Sequence, residues 1–250
     1  MIGRRGAFLA LLGVLAWSPL AAGATRQIPA TRDNTLFDLL ADTLSSNGAG
    51  PYLFVGDNSQ GNTRRALLHF AVAESLPADA TIDSVELRLN SSQAQNTSPR
   101  TITVHRLLAD WGEGTSFSSG GGGARPVPGD ATWLHAFYDD RFWTSPGGDF
   151  EAAASASIIV TGTGFYSWRG PGLAVDVQAW YDQPGINHGW LLLGDESTVS
   201  TARRLDSRES ATPANRPVLI IHFTAPDVPV IPVTWGAVKA GIATGLRRND

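Results

Sequence analysis

The ten residues TIDSVELRLN (81–90) set the terms for the rest of the chain. Val85, Leu87 and Leu89 fall on one side, and Ser84, Glu86 and Arg88 on the other. Side chains of a strand point alternately to its two faces, so this pattern describes a strand with one buried face. RTITVHRLL repeats it, with Ile102 and Val104 inward and Thr101, Thr103 and His105 outward. Further strands are expected at YLFV (52–55), RALLHFAV (65–72), ATWLHAF (131–137), SIIVT (157–161), HGWLLLG (188–194) and RPVLIIHF (216–223). GDNSQGN, LPAD, SPGGD, RGPG and DQPG separate them as turns. Many short strands punctuated by glycine and proline predict an all-β fold, an antiparallel jelly-roll-like β-sandwich. ALLHF and VLIIHF are apolar on both faces, which calls for a core on one side and a covering segment on the other. DVQAWYD (176–182) suits a short helix.

The two ends of the chain differ from this middle. Arg4 and Arg5 precede the apolar run AFLALLGVLAW, and Ala22-Gly23-Ala24 follows, the order of a secretory signal peptide cut after Ala24. From about Ala225, PDVPVIP has the composition of a stiff linker. It leads into TWGAVKAGIATGLRRND, where Trp235, Val238, Ile242 and Leu246 share one helical face. The expected organisation is a signal peptide at 1–24, a sandwich at 25–224, and a linker with a short C-terminal tail helix at 225–250.

Composition narrows the function. The chain has no cysteine, so an exported product rests on an ordinary core without disulfides or thiolate chemistry. Net charge is −4, with scattered arginines and a single lysine, Lys239; this is no basic stripe for a phosphate backbone. Expected partners are therefore glycans or other surface proteins, not nucleic acid, and no transmembrane span is expected.

Candidate chemistry is sparse. His69, His105, His135, His188 and His222 are dispersed without metal-ligand spacing, and His69 and His222 read as structural. WGEG, in which Glu113 follows Asp110 by three residues, reads as the end of a strand: Trp111 packs, the glycines turn, and Glu113 is solvated or paired to arginine. Asp33, Asn34, Asp57 and Asn58 offer hard oxygens in loops, the ligands calcium prefers, although such residues also start turns for local reasons. Calcium at Asp33 and Asp57 is the one cofactor expectation. Aromatic residues carry the stronger binding signal. TWLHAFYDDRFW crowds Trp133, Phe137, Tyr138, Phe142 and Trp143 around Arg141, and sugar rings stack on such side chains. Trp133, Tyr138, Trp143, Trp168 and Arg141 form the expected glycan platform. The alternatives are a structural surface protein, or a polysaccharide-active enzyme using Asp139 or Asp140 with Arg141 and His135.

Five stretches in order, RALLHFAVAESLPADATIDSVELRL, TVHRLLADWGEG, GDATW, DVQAWYDQPGINHGWLLLGDES and RRLDSRESATPANRPVLIIHF, resemble the DNRLRE domain family. That resemblance implies a secreted jelly-roll-like module, some of whose relatives are classed as carbohydrate-binding, alginate binders included. It fixes no ligand residues. Within RRLDSRES, strand alternation places Leu205, Ser207 and Glu209 on the inward face and Arg204, Asp206 and Arg208 on the other. A half-buried carboxylate needs donors, so Glu209 is expected to close a structural ion pair with Arg65 or Arg216. On this reading the protein performs no reaction.

Overall fold

The computed structural model describes residues 22–39 and 44–226. Most of the signal-peptide expectation and the whole tail helix lie outside them. The strand elements are β1 (Ala22–Pro29), β2 (Arg32–Phe37), β3 (Tyr52–Asp57), β4 (Thr63–His69), β5 (Thr81–Ala94), β6 (Arg100–Arg106), β7 (His135–Phe137), β8 (Arg141–Phe142), β9 (Ala156–Val160), β10 (Gly164–Arg169), β11 (Trp190–Leu193), β12 (Arg203–Asp206) and β13 (Val218–Ala225). One α-helix, α1 (Pro171–Asp182), is present among the described residues. No helix among them is long and apolar enough to cross a membrane.

Eleven strands form a curled antiparallel sheet whose two halves face each other. In the first half, β5 pairs with β10 and with both β13 and β12. In the second, β4 lies between β2 and β11, and β6 and β9 follow. β3 joins the halves, pairing with β12 along its length and with β4 at Gly56 and Asp57. The result is the expected all-β, jelly-roll-like β-sandwich.

Between the halves lies the main core. Leu87 and Leu89 of β5, Leu205 of β12 and Leu219 and Ile221 of β13 meet Ala66 and Leu68 of β4 and Ile102 and Val104 of β6. Helix α1 closes one end. Leu173, Val177 and Trp180 recur at helical spacing and are buried, with Trp180 and Trp190 ring centroids 4.5 Å apart. The helix's buried Asp176 accepts a hydrogen bond from Trp190 Nε1 at 2.8 Å, so the polar atom of a core indole is satisfied.

The two-faced strand ALLHF behaves as expected. Ala66 and Leu68 enter the main core, whereas Leu67 enters a second cluster on the outer face of β4, with Leu36, Leu107, Trp111, Ala136, Trp143 and Leu191. The segment between β6 and β9 is the cover. VLIIHF differs: Ile220 is half-buried and His222 exposed, so its outer face carries no comparable cover. ATWLHAF is not a sheet strand. Only His135–Phe137 pairs, in a short hairpin with β8, because this stretch serves as cover and bonds to the WGEG segment through Gly112 N–H to Ala136 O and Ala131 N–H to Gly112 O. His105, expected outward, is buried under Phe150 by the same cover. Strands β1, β2, β8 and β10 arise where no strand is expected. β2 escapes a hydropathy reading because its buried Asp33, Asn34 and Thr35 are polar; Asn34, for example, donates to Glu113 O and accepts from Asn47 N–H.

Leu67→Ala and Leu68→Ala are each expected to cost about 2–5 kcal/mol by urea denaturation, because both leave cavities in packed clusters. A near-neutral Leu67→Ala would show that the cover is not part of the cooperative fold.

Candidate functional site

Three surfaces compete for the functional role. The first is the aromatic hairpin singled out from the sequence. Trp143 is buried in the outer cluster with its Nε1–H on Thr132 O at 2.9 Å, so its ring offers no face to a ligand. Trp168 points inward from β10, fully buried, with its Nε1–H on Ile102 O at 2.9 Å. Neither can stack a sugar, which corrects the platform expected for them: the indole nitrogens are satisfied by backbone carbonyls inside the protein. Trp133 is half-buried with the Arg65 guanidinium 4.7 Å from its ring centroid. Tyr138 stands edge-on to His135, and Arg141 lies over Phe137 at 4.5 Å while donating to Asp110 O. His135 is walled in by Phe142 and Tyr138 and bonded to Thr132 Oγ1, and burial lowers its pKa. It is enclosed, while Asp139 and Asp140 beside it are exposed.

The outer face of the first half-sheet is the second surface. Alternation that sends Leu53, Val55, Leu87, Leu89 and Leu205 inward sends Tyr52, Phe54, Arg88, Asn90 and Arg204 outward. Opposite Asn90 on β10 is Phe165, 55% exposed, with the Arg88 guanidinium 5.8 Å from its ring. Arg204 lies 3.8 Å from the ring centroid of Tyr52 and donates to Ser92 Oγ. An open groove of about 590 Å³ runs here, lined by Phe54, Asn58, Asn62, Arg64, Gln93, Gln95 and Arg204. Arg64 is held by Gly121 O and Asn62 O, and burial lowers its pKa. Neither Arg64 nor Arg204 has a carboxylate partner among the described residues, and the same holds of Arg88, Arg141, Arg203 and Arg216, whereas Arg32, Arg65, Arg100, Arg106, Arg169 and Arg208 are paired. In YLFV, alternation alone places Tyr52 and Phe54 opposite Leu53 and Val55, but the polar residues that complete this face come from other parts of the chain.

A cluster of charges around the RRLDSRES segment is the third. β12 stops at Asp206 and the chain turns at 207–210, so strand alternation no longer governs Glu209. The expected partners are engaged elsewhere. Arg65 forms a two-pronged pair with Glu196, both contacts 2.8 Å, and Arg216 donates to Ser210 O. Glu209 instead meets its neighbour Arg208 at 2.9 Å, and Arg208 also grips both oxygens of Glu113. The WGEG segment brings Glu113 there. Trp111 anchors it, fully buried with Nε1–H on His188 O. Gly114 has φ +70°, and a Cβ there would stand 1.4 Å from Asp130 Oδ1, so only glycine lets the segment lie so close. Asp33 completes the cluster from β2, fully buried, its Oδ2 accepting from Arg208 N–H at 2.7 Å and its N–H donating to Glu113. Burial, then repulsion from Glu209, pushes the Asp33 carboxyl well above the usual range; burial likewise raises Glu209. The expected pairing of Asp33 with Asp57 does not occur. Asp57 accepts from Thr63 Oγ1 at the β3–β4 turn and belongs to no ligand cluster among the described residues.

Residues 26–116 match the model of carbohydrate-binding module family 96. The matched stretch holds β2 to β6, and with them Tyr52, Phe54, Arg88 and Gln93 of the outer face and Arg64 of β4, which lines the groove from the second half-sheet. This part of the chain is similar to a carbohydrate-binding module. No curated protein matches the chain.

His69 gives the fold its clearest pH response. Its ring is bonded to Thr31 Oγ1 at 2.7 Å, and burial, then repulsion from Arg32, lowers its pKa from 6.5 to about 4. The native state therefore keeps it neutral while the unfolded chain takes up a proton. Its stabilising contribution is complete above the unfolded value and is lost as pH falls towards the folded one. In His69→Gln, the difference between urea midpoints at pH 7 and at pH 4 should shrink; an unchanged difference would contradict this assignment.

Proposed function

We propose that the chain is a secreted, non-catalytic carbohydrate-binding module of the DNRLRE type that takes a polysaccharide along the outer face of the first half-sheet. The observation that carries this reading is Arg204, a half-buried guanidinium without a carboxylate partner that lies over Tyr52 and lines the groove, with Phe54 and Arg64 buried beneath it. The family match to residues 26–116 supports it. Sugar rings pack their CH faces on aromatic side chains, and amides such as Gln93, Gln95, Asn58 and Asn62 exchange hydrogen bonds with hydroxyl groups. Unpaired arginines favour sugars that carry carboxylate or sulfate, which they grip through parallel N–H bonds. Calorimetric titration with uronate-containing and neutral polysaccharides tests the proposal. Arg204→Ala and Tyr52→Ala should each weaken binding of an acidic polysaccharide about tenfold, a change of ~1.4 kcal/mol, while Phe142→Ala on the hairpin leaves it intact. Loss confined to Trp133→Ala, Tyr138→Ala or Phe142→Ala would move the site to the hairpin. Absence of binding to any glycan would favour a structural role against other surface proteins.

A further inference from the structure

We propose that Asp33, Glu113 and Glu209 bind a divalent cation, calcium in the first place, at a site separate from the glycan-binding face. The three carboxylates come from β2, the WGEG segment and the turn after β12, and each offers an oxygen within 4.8 Å of the other two. Oxygens on opposite sides of a calcium ion stand about 4.8 Å apart, so the spacing suits that ion.

The second observation is the shortage of donors. Asp33 is fully buried, and its Oδ1 has no hydrogen-bond partner; the same holds for the buried Oε2 of Glu209. The donors that reach the cluster are shared among its members. The Arg208 guanidinium serves Glu113 and Glu209, the Arg208 N–H serves Asp33 Oδ2, and the Asp33 N–H serves Glu113. Three carboxylates against one guanidinium leave the cluster two negative charges in excess when all are ionised. Buried oxygens without donors are costly, and a buried charge more so. One divalent cation cancels the excess and supplies both orphaned oxygens with a partner. Carboxylate oxygens are the hard ligands that calcium takes, with water completing a shell of six to eight; magnesium demands a smaller, stricter octahedron.

The consequence is mechanical. The ion would hold β2, the cover over the second half-sheet and the chain leaving β12 at one point, the task that disulfides perform in many exported proteins; this chain has no cysteine. The test is to strip the full chain with EDTA, exchange it into metal-free buffer, and titrate with calcium chloride or magnesium chloride alone. Calorimetry and thermal unfolding are followed in parallel. Calcium is expected to bind at one ion per chain and to raise the unfolding midpoint by at least about 4 °C. In Asp33→Asn and Glu209→Gln, each required to keep the parent far-ultraviolet circular dichroism, that rise should vanish. If either variant fails to fold, the calcium titration of the parent protein decides. No binding in the parent, a response to magnesium alone, or an undiminished calcium response in both folded variants would overturn the proposal. No glycan enters the experiment, so its failure leaves the binding reading untouched.

Discussion

Strand β4 is apolar on both faces, and much of the structure follows from that constraint. Ala66 and Leu68 face the first half-sheet, and Leu67 faces away from it. A sandwich with two simple layers would leave Leu67, Leu36 and Leu191 in water. The chain instead lays the residues between β6 and β9 across this outer face, seating Trp111 and Trp143 on it. Apolar area removed from water, at roughly 25 cal/mol per Å², rewards the arrangement, but a long segment with little sheet of its own needs fixed anchors as well. These are the Trp111 indole on His188 O, the Asn34 side chain on Glu113 O, and the grip of Arg208 on Glu113.

Covering one face of the sandwich leaves the other as the surface proposed for binding. The outer side of the first half-sheet is built from β10, β5, β12 and β3, whose pairings put Phe165, Arg88, Asn90, Arg204 and Phe54 in neighbouring rows. Placed on paired strands, these side chains are presented by a rigid scaffold, which limits the ordering cost of gripping an extended ligand. In the hairpin at 135–142, by contrast, His135 is buried, Phe137 and Tyr138 are half-buried, and Phe142 is the one exposed ring.

The sequence made the fold legible wherever a strand has one wet and one dry face. β5 and the inner side of β6 are plain in the order of their residues, and α1 is plain in the spacing of Val177 and Trp180. β2 was hidden because its buried partners are loop carbonyls and amides, so a polar stretch lies in a dry place. Trp143 and Trp168 looked like platforms because an indole suits a surface and a core equally; only distant carbonyls, Thr132 O and Ile102 O, decide which. Glu209 was drawn inward by an alternation that ends three residues too early. The charged stretch does serve structure, through Arg208 and Glu113 rather than Arg65.

The account turns on the cover being one cooperative body with the sandwich beneath it. Native-state hydrogen exchange reads this directly, through the amides of Gly112 and Ala131, which tie the cover together, and of Leu67 and Leu191, paired in the sheet below. The account predicts that all four open with the same free energy, equal to that of global unfolding. Exchange of Gly112 and Ala131 at a much lower free energy, while Leu67 and Leu191 stay protected, would show that the cover lifts by itself and would contradict it.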